Sequence, residues 1–178
     1  DLADLKGRKF QKKRNHVNHF RAEHSQFELQ NLTDGNFSAA QRMVGEWYRA
    51  RMQADPTGDY MMESIAMSRA FRHYEGLQME SAVLVENGEI LAVTMGSRLW
   101  SDTFDIHFEK AREDVDGAYA AVNCEFARYL RLKYPNLRYL NREDDVGLAG
   151  LRKAKLSYNP HHMVEKSWAY LAEDFHGD

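Results

Sequence analysis

Residues 81–95, with the sequence SAVLVENGEILAVTM, contain the clearest structural signal in the chain. Two apolar, β-branched runs, Ser81 to Val85 and Ile90 to Met95, flank a short polar link. The link contains Asn87-Gly88, the dipeptide that most strongly favours a two-residue hairpin turn because both residues tolerate a positive φ. The stretch therefore predicts an antiparallel β-hairpin around which the rest of the fold is arranged.

The segments on either side of the hairpin carry helix and strand patterns in turn. Apolar residues at helical spacing predict helices at about 5–24, 37–54, 59–75, 117–134 and 147–156. Short apolar runs predict further strands at 27–32, 103–109, 137–141 and 162–172. This order predicts an α/β (α+β) fold, in which helices flank a mixed, mostly antiparallel sheet.

Length and composition narrow the class of protein. The 178 residues suit one domain spanning residues 1–178, and 43% hydrophobic residues with three prolines exclude collagen-like, coiled-coil and disordered chains. No stretch approaches the roughly 20 apolar residues that a membrane-spanning helix needs. A single cysteine excludes an internal disulfide and a thiolate-rich zinc site, which favours a reducing cytoplasm and predicts no metal. Because the chain opens at Asp1 rather than Met, we expect it to be a processed or excised piece of a longer protein.

Charge is distributed unevenly along the chain. Residues 6–21 carry seven bases and no acid, which leaves 17 bases against 27 acids elsewhere. Such a basic helix attracts polyanions, for example tRNA or an anionic lipid surface at which the protein would be peripheral. The alternative is that the helix docks on the acidic remainder of its own chain. The candidate polyanion-binding residues are Lys9, Lys12, Lys13 and Arg14.

The segment 103–109 alternates strictly between apolar and polar residues. Alternation places Phe104, Ile106 and Phe108 on one face of a strand and Asp105, His107 and Glu109 on the other. A histidine or a desolvated carboxylate can accept the proton of an attacking amine or hydroxyl, so these three polar residues are the candidate catalytic groups. The alternative is an ordinary strand whose polar face lies in water.

A second group of polar residues follows the strand at 137–141. Acids directly after this strand would attract an ammonium group, whereas the bases further along would hold a phosphate. The alternative is that acids at the start of the helix at 147–156 and bases at its end only complement the helix dipole. Asn123 joins this group because it borders the apolar stripe of its own helix. The candidate substrate-binding residues are Asn123, Asn141, Arg142, Glu143, Asp144, Asp145, Arg152, Lys153, Lys155, Tyr158 and Asn159.

Several of these motifs also carry a family resemblance. The segments KGRKF and RNHVN in the basic helix, FDIHFEKA at 104–111, NREDD at 141–145, GLRKAK at 150–155 and SYNP at 157–160 resemble an uncharacterised bacterial family. That family is similar to the C-terminal domain of phosphatidylglycerol lysyltransferases, and the resemblance covers nearly the whole chain.

The resemblance implies a GNAT-like acyltransferase fold, often present as a tandem pair, so that a second GNAT-like domain would precede this one. In that fold the strands at 103–109 and 137–141 splay apart, and their gap is the site of acyl transfer. The resemblance also implies aminoacyl-tRNA as the acyl donor. Acyl-coenzyme A is less well supported, because residues 110–116 contain three acids and none of the glycines that let backbone N–H groups approach a pyrophosphate.

Two functional hypotheses remain open from the sequence. The first is an acyltransferase that moves an aminoacyl or other acyl group onto a small-molecule amine, a hydroxyl group or a lipid. The second is a non-catalytic GNAT-like module that binds nucleic acid or an anionic surface through its basic helix.

Overall fold

The computed structural model describes residues 1–143, 145, 147–167 and 169. Its helices are α1 (Gln11–Glu23), α2 (Asp34–Ala54), α3 (Met61–His73), α4 (Ala118–Lys133) and α5 (Ala149–Leu156). Its strands are β1 (Glu28–Asn31), β2 (Glu80–Glu86), β3 (Glu89–Arg98), β4 (Thr103–Ala111) and β5 (Tyr139–Asn141). The predicted α+β class with a mixed sheet is confirmed.

Local chemistry explains where the first two helices begin. The predicted helix at 5–24 starts later, because Leu5 and Gly7 adopt positive φ angles of 49° and 88° that are incompatible with a helical turn. A single 3-10 turn, Arg8–Phe10, leads into α1. Helix α2 begins at Asp34, where Thr33 and Asn36 form a reciprocal capping box.

The sheet has the order β1-β2-β3-β4-β5, with antiparallel pairs throughout except the parallel pair β4 and β5. Asn87 and Gly88 both have positive φ in the predicted hairpin turn between β2 and β3. Helices α2 and α3 cover one face of the sheet around Val83, Val93 and Met95. Helix α4 covers the other face, and α1 packs beside it through Phe20. Both faces of the sheet are therefore buried by helices.

A β-bulge at His107 changes the predicted alternation of β4. Met95 pairs with Phe108 and Gly96 pairs with Ile106, so His107 is the extra residue between them. Phe104 and Ile106 consequently pack toward α4, whereas Phe108 packs toward α2 and α3. The prediction that these three apolar residues share one face is wrong for Phe108.

The predicted strand at 162–172 is wrong over 162–167, which form no regular element. Met163 and Val164 are 65% and 72% exposed. Apolar, β-branched composition produces a strand only where a neighbouring strand offers hydrogen-bond partners, and these residues have no such neighbour in the described part of the chain. Residues 168 and 170–172 lie outside the described residues.

Candidate active site

The candidate site is a gap that opens in the sheet between β4 and β5. The two strands pair over only three residues each, ending at Asp105 opposite Asn141. Beyond this pair, β4 continues to Ala111 whereas the chain after Asn141 leaves the sheet. Side chains from both faces of β4 border the gap. Because Asn141 ends β5 beside Asp105, the predicted polar run after β5 is brought directly to this edge.

The side of the gap toward α2 and α3 carries an acidic cluster, which we define as Ser97, Asp105, His107 and Glu143. Asp105 is only 5% exposed, and its Oδ1 atom is buried with no hydrogen-bond partner among the described residues. Burial raises the pKa of the Asp105 carboxyl, and the nearby negative charge of Glu143 raises it further. A buried carboxyl whose pKa is raised in this way marks a candidate functional site.

His107 connects Asp105 to a hydroxyl group. Nδ1 of His107 lies 3.6 Å from Oδ2 of Asp105, and Nε2 of His107 lies 2.8 Å from Oγ of Ser97. Ser97 and Asp105 are direct partners across β3 and β4, so their side chains share a face. The bulge places the His107 ring between them, and the ring stays accessible with its side chain 33% exposed.

Glu109, the third predicted catalytic residue, lies on the opposite face of β4. It pairs with Thr94 beyond the bulge and points toward α4, where Asn123 donates a hydrogen bond of 3.2 Å to its Oε2 atom. Its Oε1 atom accepts a hydrogen bond of 2.6 Å from Arg142. The prediction that Asp105, His107 and Glu109 share one face is therefore wrong for Glu109.

The side of the gap toward α4 carries an arginine cluster, which we define as Lys13, Glu109, Asn123, Arg142 and Tyr158. The Arg142 and Glu109 side chains are 20% and 9% exposed, so they form a largely buried ion pair. Burial alone would lower the pKa of Arg142, but the charge of Glu109, the Tyr158 phenol and the hydrogen bonds to both residues together outweigh it and raise the pKa. The Nε atom of Arg142 is buried and has no hydrogen-bond partner among the described residues.

Tyr158 links this ion pair to the basic helix. The Arg142 guanidinium lies 4.6 Å from the centre of the Tyr158 ring, and the Lys13 ammonium lies 4.0 Å from it. Burial raises the pKa of Tyr158 to about 12, so the phenol stays neutral. Burial and the positive charge of Arg142 lower the pKa of Lys13. Two cations thus share one aromatic ring, a concentration of positive charge that favours an anion nearby.

A cavity of about 370 Å³ lies beside the arginine cluster, lined by Lys13, His16, Tyr158, Arg112 and the first turn of α4 from Gly117 to Ala120. The N-terminus of α4 contributes the positive end of the helix dipole, and the acids Glu113 and Asp116 also line the cavity. Gly117 has φ 78°, and a side chain there would meet the backbone oxygen of His16 at 2.7 Å. Helix α1 therefore covers one side of the N-terminus of α4, and the cavity lies on its other side.

The acids before α4 are each paired with a base. Glu113 pairs with Arg51, Asp114 with Arg112 at 2.7 Å, and Asp116 with His19 at 3.6 Å when that histidine is protonated. The three acids that disfavoured a phosphate in the sequence are thus partly neutralised in the structure. No glycine precedes Gly117 in this loop, so the flexible backbone typical of a pyrophosphate loop is still absent.

The remaining predicted substrate-binding residues lie around α5. Arg152 pairs with Asp145 at 2.5 Å, and its side chain is 61% exposed. Lys155 donates hydrogen bonds to the backbone oxygens of Arg142, at 2.9 Å, and Glu143. Lys155 therefore fixes the segment that leads from the arginine cluster to the acidic cluster. Asn159 contacts the backbone of Lys9, and Lys153 is exposed. Asp144 lies outside the described residues.

The predicted polyanion-binding residues divide into two groups. Arg14 is occupied, because it donates hydrogen bonds to the backbone oxygens of Leu5, at 2.5 Å, and Gly7. Lys9 pairs with Asp1 at 3.0 Å but remains half-exposed, Lys12 is exposed, and Lys13 faces the cavity. Part of the basic helix therefore docks on its own chain and part faces outward.

Sequence reasoning missed Ser97, because nothing near position 97 resembles a catalytic motif. The only available signal was the hairpin register that places residue 97 opposite residue 105, and the bulge that completes the contact was not visible in the sequence. Across the described ranges, no group of three or more His, Cys, Asp or Glu residues is arranged to hold a metal ion. Among the helices described, none is long and apolar enough to cross a bilayer.

Comparisons with known proteins agree with this architecture. Residues 1–170 match the family described as phosphatidylglycerol lysyltransferase, C-terminal. No curated protein matches the chain. A conserved protein of unknown function from Bacteroides thetaiotaomicron is 40% identical, with a TM-score of 0.84 over 92% of this chain and 54% of its own. The chain thus spans about half the length of that relative.

Two more distant structures show the fold. A possible acetyltransferase from Clostridium difficile has a TM-score of 0.59 at 10% identity, over 82% of this chain and 97% of its own. A ribosomal-protein-alanine N-acetyltransferase from Brucella melitensis has a TM-score of 0.53 at 9% identity, over 82% and 98%. The predicted GNAT-like fold is confirmed, and family and fold together support a function of the acyltransferase type. The chain belongs to the phosphatidylglycerol lysyltransferase C-terminal family.

Proposed function

We propose that this chain transfers an acyl group, most specifically an aminoacyl group, from a phosphate-bearing carrier to an amine or hydroxyl acceptor in the gap between β4 and β5. The single observation that carries the proposal is the separation of charge across that gap. Asp105 and Glu143 lie on one side together with Lys166, which pairs with Glu143 at 3.4 Å. Lys13 and Arg142 lie on the other side together with Glu109, which pairs with Arg142 at 2.6 Å. Counting these partners, the first side keeps an excess of one negative charge and the second an excess of one positive charge. A cationic amine and an anionic carrier would therefore be drawn to opposite sides of one site.

In this proposal the acidic cluster receives the amine and its proton. An ammonium group is attracted by Glu143 and Asp105, and a neutral amine is the nucleophile that attacks the acyl carbon. His107 accepts the proton of the attacking group, while Asp105 orients its ring. Asn141 borders the same space through its pairing with Asp105. Further along the chain, the charge of Asp145 is paired with Arg152.

Glu109 has a different role here from the one that its alternation suggested. Both of its oxygens are engaged, one by Arg142 and one by Asn123. We assign it as a positioning residue that holds Arg142 at the gap. Arg142 and Lys13 then face the carrier phosphate, next to the cavity at the start of α4.

The exposed bases extend this anionic subsite outward. Lys9, Lys12 and Lys153 are exposed at the surface, and Arg152 is largely so. A tRNA acceptor end carries many phosphates that such residues would contact, whereas coenzyme A offers only a few. The family description and these outer bases favour aminoacyl-tRNA as the donor. An amine, or a lipid at a membrane surface, is the acceptor class that this arrangement suits.

The test supplies the purified chain with pools of charged tRNA and, separately, of acyl-coenzyme A, together with amine and aminolipid acceptors. We expect acyl transfer from charged tRNA, reduced by roughly 100-fold or more in Asp105→Asn. The matched control is Asp59→Asn, because Asp59 is an exposed acid away from the gap. Absence of transfer from both donor pools would contradict the proposal.

The second candidate function is a binding module that holds nucleic acid without catalysis. The observation that favours it is the outward-facing part of the basic helix, where Lys6, Arg8 and Lys12 are exposed. Binding of this kind weakens steeply with salt, because phosphate contacts release counterions. Affinity for RNA that falls with salt and with Lys12→Glu, in a chain that transfers no acyl group, would favour this function over the first.

A further inference from the structure

We propose that Ser97 is the nucleophile of a Ser97-His107-Asp105 relay that carries the acyl group covalently between donor and acceptor. This inference rests on the proposed acyl transfer and deepens it, because it adds an acyl-enzyme step at a residue outside the motifs that the sequence suggested. The three side chains lie on one face of two adjacent strands, and each contacts the next.

The geometry is that of an activated hydroxyl. Nε2 of His107 lies 2.8 Å from Oγ of Ser97, within hydrogen-bond reach of the proton it would remove. Oδ2 of Asp105 lies 3.6 Å from Nδ1 of His107, a separation that closes to a hydrogen bond with a small shift of the ring. Contacts of this kind are often long before substrate binds. Asp105 favours the tautomer with a proton on Nδ1, which leaves Nε2 free to accept from Ser97.

The three side chains of the relay differ in how far they are buried, and Asp105 is the most buried. Asp105 is 5% exposed, the His107 side chain is 33% exposed, and Ser97 is half-buried at the surface of the gap. The orienting acid is thus shielded from water while the hydroxyl remains reachable. The buried Oδ1 of Asp105 has no hydrogen-bond partner among the described residues. The other charged groups beside this carboxylate are Glu143 and Lys166.

The backbone holds the relay rigidly. Ser97 and Asp105 are cross-strand partners, and the bulge at His107 projects the ring between them. A side chain at Gly96 would meet the backbone oxygen of Asp105 at 2.1 Å, so β3 and β4 approach closely at this point. Two adjacent strands of one sheet, β3 and β4, therefore fix the relay.

In the proposed relay, the acyl group is transferred in two half-reactions. Oγ of Ser97 forms a bond to the acyl carbon, and its proton passes to Nε2 of His107. The bond from the acyl carbon to the oxygen of the donor breaks, and that oxygen leaves with the proton from His107. In the second half, the acceptor nitrogen or oxygen bonds to the acyl carbon and gives a proton to His107. The bond from Ser97 to the acyl carbon then breaks, and Ser97 recovers the proton.

The test uses two probes that do not depend on the natural donor. A fluorophosphonate reagent should label the folded chain, and p-nitrophenyl acetate should leave one acetyl group, with peptide mass spectrometry locating both on Ser97. Labelling should fall by at least about 100-fold in Ser97→Ala and in His107→Ala. Ser101→Ala is the matched control, because Ser101 is exposed in the turn after β3 and should change nothing.

The outcomes separate this inference from the proposed function. Specific labelling of Ser97 supports the relay even if no transfer from charged tRNA is found, because the probes report on the hydroxyl alone. Transfer that continues at the wild-type rate in Ser97→Ala would overturn the relay and leave direct transfer to the acceptor. Labelling that is absent from a wild-type chain with a native circular dichroism spectrum would overturn it as well.

Discussion

Asp105 and Glu109 are four residues apart on β4, and their carboxyl groups are held in different ways. Glu109 is engaged through both oxygens, by Arg142 and by Asn123. Asp105 is buried with one oxygen unpartnered and lies close to a second acid, Glu143. A buried charge that is fully paired contributes to the fold, whereas a buried acid that is incompletely paired costs stability and is retained for chemistry. We therefore propose that the arginine cluster mainly supports the fold and that the acidic cluster mainly serves the site.

The bulge at His107 is what allows one strand to serve both purposes. Without the extra residue, Asp105 and Glu109 would lie on the same face of the sheet. With it, the two carboxyls point to opposite faces of the sheet, one toward α2 and α3 and one toward α4. Bulges are common beside active sites because they redirect a single side chain while the strand continues.

Breaking the buried ion pair should have the largest effect on stability. We expect Arg142→Ala to lower the free energy of unfolding by about 3 kcal/mol or more, because it leaves the charge of Glu109 buried and unpaired. Urea denaturation followed by circular dichroism measures this loss. The double variant Glu109→Gln with Arg142→Met is the control, since it removes both charges at similar volume and should recover most of the stability.

That result would also assign the role of Arg142. A loss below about 0.5 kcal/mol for Arg142→Ala, as at an exposed position, would show that the ion pair does not support the fold. The contrast between the arginine cluster and the acidic cluster would then not hold, and both clusters would be assigned to the site.

Sequence patterns predicted the parts of this molecule that depend on neighbouring residues. The Asn87-Gly88 turn, the strand near 103–109 and the helix ending near Lys133 all follow from local spacing, and the structure contains each of them. What local spacing does not specify is the pairing of distant residues. Arg142 meets Glu109 across 33 positions, and Ser97 meets His107 across a register shift.

Two errors have the same physical origin. The alternation in 103–109 predicted one polar face, but a single extra residue in the ladder reverses every side chain beyond it. The predicted strand at 162–172 had a suitable composition, but residues 162–167 have no strand beside them to pair with. Neither a bulge nor the lack of a partner strand leaves a mark in the segment itself.

A smaller effect is expected at Tyr158, which connects the arginine cluster to α1. Replacement by Leu keeps an apolar side chain but removes the aromatic face that Lys13 and Arg142 share. We expect Tyr158→Leu to destabilise the chain by about 1 kcal/mol, because each cation–π contact contributes roughly 0.5–1 kcal/mol. Tyr158→Phe retains the ring and is the control, with an expected change below about 0.5 kcal/mol. If Tyr158→Phe and Tyr158→Leu lose the same stability, the contribution comes from the hydroxyl group of Tyr158 and not from its ring.

The smallest effect on stability is expected for a substitution of Asp105. It is also the most direct test of the contrast between the acidic cluster and the arginine cluster. The pKa of Asp105 is raised in the folded chain by burial and by Glu143, so the folded state binds this proton more tightly than the unfolded state does. The stabilisation from the protonated carboxyl is therefore fully present below the unfolded pKa of about 3.9, and it is lost as the pH rises through the folded value. The groups facing it are Glu143, His107 and Lys166.

Asparagine has no ionisable proton and stays neutral at every pH. We therefore expect the free energy of unfolding of Asp105→Asn near pH 7 to equal that of the wild-type chain or to exceed it by no more than about 1 kcal/mol. Its advantage over the wild type should shrink as the pH falls toward about 4, where the wild-type carboxyl is protonated as well. Denaturant titrations at the two pH values measure both differences. Acyl transfer, in contrast, should fall by roughly 100-fold, because asparagine does not orient His107 as a carboxylate does. A loss of stability as large as that of Arg142→Ala would place Asp105 in the scaffold, and the two faces of β4 would then no longer differ in purpose.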